Sequence, residues 1–187
     1  IGLSDVIIAI NLSAAQFADV NLQRYLEALL KEFNLAAENF ELELTEHTLV
    51  KDIDKAIVTM DALRLLGFSF AIDDFGTGYS SLAYLKRMPV DVIKIDKSFV
   101  VGMLENHADF QIIMSTIAMV KNLGLTVIAE GVETKAQLRT LTENDCDLIQ
   151  GYYFSKPIPE AGLFDFIGRE IVDGNWKVLA NSNSIIN

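Results

Sequence analysis

The chain has 187 residues, of which 51% are hydrophobic and 22% charged, which is enough apolar mass for one domain with a sizeable core. This composition excludes disordered and fibrous proteins. The formal charge of -11, from 26 acidic and 15 basic residues, argues against non-specific binding to duplex nucleic acid. A small phosphate ligand is compatible with that charge where divalent cations reverse it locally.

A single cysteine, Cys146, cannot form an intramolecular disulfide, which is typical of a reducing compartment. The longest apolar runs, such as residues 6–10, fall far short of the ~20 residues of a membrane span. No signal peptide is apparent. We therefore predict no membrane segment in this chain and a location in the cytoplasm, alone or as the cytoplasmic domain of a larger signalling protein.

Short β-rich runs alternate with helical patterns along the chain, which indicates βαβ units and a parallel sheet. Six strands are predicted, at about residues 6–11, 39–45, 68–73, 91–95, 125–130 and 146–150. Apolar residues at helical spacing lie between them, in three sets: Leu22, Leu26, Leu29 and Leu30; Ile53, Ile57, Met60 and Leu63; and Ile113, Ile117 and Val120.

Local signals mark several helix ends. Gly67 and Gly124 stand where helices should stop, and Thr134 with Gln137 is typical of a capping box that opens a helix through Leu141. Residues 1–176 are expected to form one barrel-type domain, and residues 177–187 a loosely ordered C-terminal tail.

The predicted strands favour a barrel over an open sheet. Between residues 40 and 46, Leu42 and Leu44 face one side, whereas Glu41 and Glu43 face the other. The strand that ends at Asp73 repeats this alternation of apolar and small or polar residues. An open doubly wound sheet would bury two apolar faces, whereas a barrel interior is lined by small and polar residues. We therefore predict an α/β fold of the (β/α) barrel kind.

Polar residues collect at the C-terminal ends of all six predicted strands. They are Asn11, Glu43, Glu46, Asp73, Asp74, Lys94, Glu130, Glu133 and Gln150. Barrel enzymes place their active sites at this end. Adjacent carboxylates such as Asp73 and Asp74 repel each other, and Lys94 is the only cation on an inward strand position. A divalent metal offsets the excess negative charge, and all-oxygen ligands favour Mg²⁺ or Mn²⁺.

Six short motifs lie in order along nearly the whole chain: Asn11-Leu-Ser, Glu43-Leu-Thr-Glu46, Asp73-Asp-Phe-Gly-Thr-Gly78, Val90-Asp-Val-Ile-Lys-Ile-Asp96, Ala129-Glu-Gly-Val-Glu133 and Gln150-Gly-Tyr-Tyr-Phe-Ser-Lys-Pro157. As a set they resemble the motifs of the EAL domain, a family of bacterial second-messenger signalling. The resemblance implies a modified (β/α)8 TIM-type barrel that hydrolyses cyclic-di-GMP to linear pGpG with two Mg²⁺ or Mn²⁺ ions.

The resemblance also implies roles for individual residues. The metal ligands would be Asn11, Glu43, Asp73, Asp74 and Glu130, with Asp73 bridging the two ions. Lys94 would orient the attacking water, Gln150 would hydrogen-bond near the reacting phosphate, and Glu130 belongs to the catalytic set. Glu46, supported by Glu133, would anchor the loop from Phe75 to Ser81, which makes a homodimer plausible. Phe154 and Pro157 are candidates for guanine contacts, with packing as the equal alternative.

The sequence departs from the family in one respect. The Glu-Ala-Leu strand that names the family is absent from these residues, together with the arginine after it and one metal ligand. The start at Ile1, close to a strand, favours an N-terminally incomplete barrel that lacks its first two strands. These 187 residues alone are therefore not expected to form a fully active enzyme.

Two alternatives stay open at this point. One is a degenerate EAL domain that holds cyclic-di-GMP as a receptor without cleaving it, although degenerate members usually lose the metal carboxylates that this chain keeps. The other is a barrel enzyme of the enolising kind, with Lys94 as the base and Mg²⁺ on Glu43, Asp73 and Glu130.

Overall fold

A computed structural model describes residues 6–50, 52–78, 82–159, 161–163 and 185–186. The chain divides into two compact units, an N-terminal unit, Gly2–Ile93, and a C-terminal unit, Lys94–Asn187. Strand β4, Val92–Ile95, spans the boundary between them. No helix in the described ranges is both long and apolar enough to cross a membrane.

The N-terminal unit consists of parallel strands joined by helices. Its strands are β1 Ile8–Asn11, β2 Phe40–Thr45 and β3 Ser69–Phe75, and its helices are α1 Ala14–Phe17, α2 Leu22–Phe33, α3 Glu46–Val50, α4 Ile53–Arg64 and α5 Leu82–Leu85, with a 3-10 turn at Ala37–Asn39. Strand β2 pairs in parallel with both β1 and β3. Leu42, Leu44 and Phe70 are almost fully buried, as are Met60 and Leu63 of α4. The predicted apolar residues of β2, β3 and the C-terminal half of α4 therefore lie in the core of this unit, whereas Leu26, Leu29 and Leu30 of α2 are half-buried.

The C-terminal unit repeats the alternation. Its helices are α6 Lys97–Gly102, α7 His107–Asn122 and α8 Lys135–Glu143, and its strands are β5 Thr126–Ala129, β6 Leu148–Ile149 and β7 Ile185–Ile186. Strand β6 pairs in parallel with β5 and β7. Each of the six predicted strands is present, with ends shifted by two residues or fewer. The predicted α/β class with parallel strands is thus confirmed.

Four helices end in the same left-handed turn. The turn residues are Asn34 after α2, Gly67 after α4, Gly124 after α7 and Asp145 after α8, all with positive φ. In each case the next residue donates its N–H to the carbonyl five residues earlier, at 2.9–3.4 Å, which satisfies a carbonyl that the helix end leaves unpaired. The prediction for Gly67 and Gly124 is confirmed, and so is the capping box of Thr134 and Gln137.

Five short elements of the structure have no clear signature in the sequence. Helices α1, α3, α5 and α6 have four to six residues, too few to display an apolar period. Strand β7 lies inside the predicted loose tail and has two residues. The rest of that tail lies outside the described residues, so the predicted domain boundary at residue 176 stays a prediction.

Candidate active site

Three predicted metal ligands lie on neighbouring strands of the N-terminal unit. Asn11 ends β1 and is directly paired with Glu43 in the β1–β2 ladder. On β3, Ala71 is the partner of Glu43, and Asp73 follows two residues later on the same face. Glu43 is only 5% exposed. The register therefore brings Asn11, Glu43 and Asp73 to one face near the C-terminal ends of their strands.

Asp73 and Asp74 place adjacent carboxylates near the end of β3. The N–H of Asp74 donates to Asp73 Oδ1 at 2.9 Å, and Asp74 has φ 53°. A non-glycine residue in the left-handed region costs of order 1–2 kcal/mol, and strain of this kind clusters at functional sites. Each of the two carboxylates could offer an oxygen to a metal ion. These oxygen donors fit the predicted Mg²⁺ or Mn²⁺ chemistry.

Glu46 lies against the loop that follows Asp74. It is the first residue of α3 and is buried, and its Oε2 accepts the N–H of Gly76 at 3.4 Å. A Cβ on Gly78 would lie 2.5 Å from Glu46 Oε1, so the carboxylate packs closely against Gly78 and would have to shift to admit a larger residue. Residues 79–81 lie outside the described residues. The predicted anchoring of the whole Phe75–Ser81 loop by Glu46 thus stays a prediction.

A buried ion pair occupies the C-terminal unit. Lys94 Nζ lies 2.7 Å from Glu130 Oε1, and the two side chains are 5% and 17% exposed. The N–H of Glu130 donates to the carbonyl of Ile95 at 3.2 Å, which ties the end of β5 to the end of β4. Because a buried charge without a partner is costly, this pairing explains how a lysine can lie inside the fold.

Gln150 follows β6 next to this pair. Its N–H donates to the carbonyl of Ala129 at 2.9 Å, and its own carbonyl accepts the N–H of Val132 at 3.1 Å. A Cβ on Gly151 would lie 2.1 Å from the carbonyl oxygen of Val132. The loops after β5 and β6 therefore touch through their backbones, and Gly151 makes that approach possible.

Gln137 has a second function that its capping-box pattern did not predict. The buried side chain accepts the N–H groups of Glu133 and Thr134 at 2.9 Å and donates to the carbonyl of Val100 at 3.2 Å. It thereby holds the loop after β5 to α6, while the Glu133 side chain is exposed. Nothing in the local sequence marks the contact with Val100, because it joins residues 37 positions apart.

The proposed guanine contacts lie in the loop that follows β6. Phe154 is half-buried and meets Tyr153 edge to face, with ring centroids 5.1 Å apart, whereas Pro157 is exposed. The geometry suits packing and ligand contact equally, so both residues stay candidates.

Comparison with known proteins identifies the family. Residues 2–157 match the EAL domain model. The chain belongs to the EAL domain family. The matched range contains every site residue predicted above. The resemblance inferred from the motifs is therefore confirmed.

The EAL domain described here is similar to two curated proteins of Pseudomonas aeruginosa. It is 46% identical over 160 residues to the cyclic di-GMP phosphodiesterase NbdA, covering 86% of this chain and 20% of NbdA. It is 40% identical over 162 residues to MucR, a bifunctional diguanylate cyclase and cyclic di-GMP phosphodiesterase, covering 87% of this chain and 24% of MucR. The chain thus spans between a fifth and a quarter of the length of these relatives.

A solved structure supports the same conclusion. The PaMucR phosphodiesterase in complex with c-di-GMP matches with a TM-score of 0.84 and 40% identity, over 87% of this chain and 66% of that one. This likeness confirms the predicted fold class, the α/β barrel type of EAL domains.

Proposed function

We propose that this EAL domain hydrolyses cyclic-di-GMP to linear pGpG with two bound Mg²⁺ or Mn²⁺ ions. The observation that carries the proposal is the retention of a polar residue at each strand end inside the family match: Asn11, Glu43, Asp73, Asp74, Lys94, Glu130 and Gln150. Similarity to proteins named as cyclic di-GMP phosphodiesterases supports the substrate. Family membership also favours phosphodiester chemistry over the enolising alternative.

The proposed metal ligands are Asn11, Glu43, Asp73, Asp74 and Glu130. Their carboxylate and amide oxygens suit hard divalent cations. Bound there, two ions would stabilise negative charge on the attacking and leaving oxygens of the phosphodiester. A protein of negative net charge can bind an anionic substrate at such a site, since the cations and not the protein surface would attract the phosphates.

Two residues are proposed to act on the reacting groups directly. The ammonium of Lys94 has three N–H donors, so it can hold Glu130 and orient the oxygen of an attacking water. Gln150 is proposed to hydrogen-bond near the reacting phosphate through its side-chain amide. Its backbone is fixed on both sides by the bonds to Ala129 and Val132, so the side chain starts from a rigid position.

The test is a hydrolysis assay on purified full-length protein with Mn²⁺ and cyclic-di-GMP, with pGpG measured by chromatography. We expect the wild type to release pGpG and Glu43→Gln to lose about 100-fold or more in kcat, the magnitude typical of a removed electrostatic contact in an active site. Glu32→Gln is the matched control, because Glu32 is an exposed residue of α2 in the same unit. Binding of the dinucleotide without release of pGpG would establish the receptor alternative instead.

Assembly and location form separate proposals. We propose a homodimer, to be measured by light scattering coupled to size-exclusion chromatography, in which a monomer at micromolar concentration would contradict it. A cytoplasmic location is proposed because cyclic-di-GMP is a second messenger and because Cys146 is a free, buried thiol.

A further inference from the structure

An aspartate in the N-terminal unit joins two strands at their N-terminal ends. Asp91 precedes β4, and its Oδ2 accepts the N–H of Phe70 on β3 at 3.0 Å, while the N–H of Asp91 donates to the carbonyl of Phe70 at 2.9 Å. Arg64, in the last turn of α4, donates to the same Oδ2 at 2.6 Å and to the carbonyl of Pro89 at 3.1 Å. The Asp91 carboxylate therefore joins the C-terminal end of α4 and the beginning of β3 to the residue that precedes β4.

The C-terminal unit contains the same arrangement. Asp147 precedes β6, and its Oδ2 accepts the N–H of Val127 on β5 at 3.0 Å. Lys121, in the last turn of α7, donates to Asp147 Oδ1 at 2.8 Å and to the carbonyl of Asp145 at 3.0 Å.

The two arrangements share their spacing, their aspartate and their glycine, whereas the other three residues differ. In both arrangements the cation precedes the strand residue that donates its N–H by six positions, and a left-handed glycine lies halfway between them. The carbonyl that accepts from the cation belongs to the residue two positions before the aspartate. Arginine is exchanged for lysine, phenylalanine for valine and proline for aspartate. What is kept is a cation, a backbone donor, a carboxylate and a carbonyl. The repetition indicates that these hydrogen bonds, and not the packing of particular side chains, are the shared feature of the two arrangements.

Both arrangements stand at a constant distance from the proposed active site. Asp73 lies three residues after Phe70, and Glu130 three residues after Val127. Lys94 lies three residues after Asp91, and Gln150 three residues after Asp147. Three residues of strand span about 10 Å. We call each arrangement of aspartate and cation an aspartate clamp. Each clamp therefore joins two strands about 10 Å before the site residues at the C-terminal ends of those strands.

The clamp matters most for β6, because that strand is short. Its ladder with β5 consists of Ile128 opposite Leu148 and Ala129 opposite Ile149. A slip of one residue in this register would turn the Gln150 side chain to the opposite face. Lys121 is 41% exposed, so its ion pair with Asp147 contributes little to stability. Its effect is on the position of the Asp147 side chain.

We propose that Asp147, supported by Lys121, is a positioning residue that holds β6 in register with β5 and so places Gln150 beside Glu130. Asp91 with Arg64 makes the corresponding bonds to Phe70 of β3 in the N-terminal unit. The inference rests on the proposed hydrolysis of cyclic-di-GMP for its catalytic consequence, but the register itself can be measured without activity.

The experiment compares three variants of the full-length protein. Asp147→Ala removes the acceptor of both bonds, and Lys121→Met removes only the ion pair. Arg139→Met is the matched control, because it removes the exposed Arg139–Glu143 pair of α8 in the same unit. Hydrogen exchange is measured at the amides of Gln150 and Val132, whose bonds join the ends of β5 and β6. kcat and KM are measured well below the melting temperature, so that unfolded protein does not contribute.

We expect Asp147→Ala to speed exchange at Gln150 and Val132 about tenfold relative to amides of α8. It should lower kcat by about 10-fold to 100-fold with KM changed by less than about threefold, since a displacement of about 1 Å at a reacting group has effects of this size. Lys121→Met should show the same pattern to a smaller degree, and Arg139→Met should show neither change.

Unchanged exchange at both amides in Asp147→Ala overturns the proposal, and so does a lowered melting temperature with unchanged kcat. If Asp147→Ala does not fold, Lys121→Met decides by the same two measurements. If the wild type itself fails to release pGpG, the proposed hydrolysis is wrong, and exchange alone decides whether Asp147 sets the register.

Discussion

Replacing Gly151 by alanine should break the contact between the loops that follow β5 and β6. An added Cβ would lie 2.1 Å from the carbonyl oxygen, 2.4 Å from the nitrogen and 2.7 Å from the carbonyl carbon of Val132. All three are backbone atoms, so no side-chain rotation relieves the collision. The loops must separate by about 1.3 Å to restore an ordinary contact distance of 3.4 Å.

This separation sets the magnitude of the effect. The N–H of Val132 donates to Gln150 at 3.1 Å, and the N–H of Tyr153 donates to Val132 at 2.9 Å. Both bonds would lengthen beyond hydrogen-bonding range, at a cost of about 0.5–1.5 kcal/mol each. Overpacking adds about 1–3 kcal/mol. We therefore expect Gly151→Ala to lower the free energy of unfolding by about 2–6 kcal/mol.

Urea unfolding followed by circular dichroism measures this loss, and two other glycines serve as controls. At Gly162 a Cβ would meet only Ile158, at 3.9 Å, so Gly162→Ala should be nearly neutral. Gly124 has φ 74° with no atom within 4 Å of an added Cβ, so Gly124→Ala isolates backbone strain, at about 1–2 kcal/mol. The reasoning is refuted if Gly151→Ala and Gly162→Ala unfold with free energies within 1 kcal/mol, a margin of about the size of one hydrogen bond.

Three further predictions concern other parts of the chain. Burial raises the pKa of the Cys146 thiol from 9.0 to about 12, so as the pH rises the unfolded chain loses this proton before the folded chain does. The free energy of unfolding should therefore fall between pH about 9 and 12, by up to about 1.4 kcal/mol per pH unit. Urea unfolding across this range should show a shallower fall for Cys146→Ala. Gln137→Leu leaves the Val100 carbonyl and two backbone N–H groups without their partner, and should cost about 2–4 kcal/mol, whereas the exposed Gln23→Leu should stay within about 0.5 kcal/mol. Mn²⁺ should raise the melting temperature of the chelator-treated wild type, because it binds the folded state, but should raise that of Asp73→Asn much less; equal shifts would contradict the metal assignment.

Local patterns were sufficient to predict the six main strands and the longer helices, in their order along the chain. The 3.6-residue period located α2, α4 and α7, and strand alternation located β2 and β3, because periodicity reports which face is buried. Glycine identified two of the four left-handed helix ends. Asn34 and Asp145 adopt the same conformation, but these residue types are equally common in ordinary turns, so their sequence does not single them out.

Much of the candidate site was also predictable. The polar residues at the strand ends could be identified from the sequence. A polar or charged side chain next to a buried strand is costly unless it has a partner, so its presence there indicates a function. The sequence marked Lys94 as the inward cation but left its partner open among several carboxylates. The structure selects Glu130, 36 residues away, since β4 and β5 end side by side.

The sequence by itself determined the family, the alternation of strands and helices, and the acidic character of the strand ends, all of which follow from local residue type and spacing. Only the tertiary structure decided the pairing of Lys94 with Glu130, the close approach at Gly151 and the two aspartate clamps. These contacts join residues that are distant in sequence, and their geometry depends on how strands align after folding. A period of two or 3.6 residues says which side a residue faces, but not which residue it meets there.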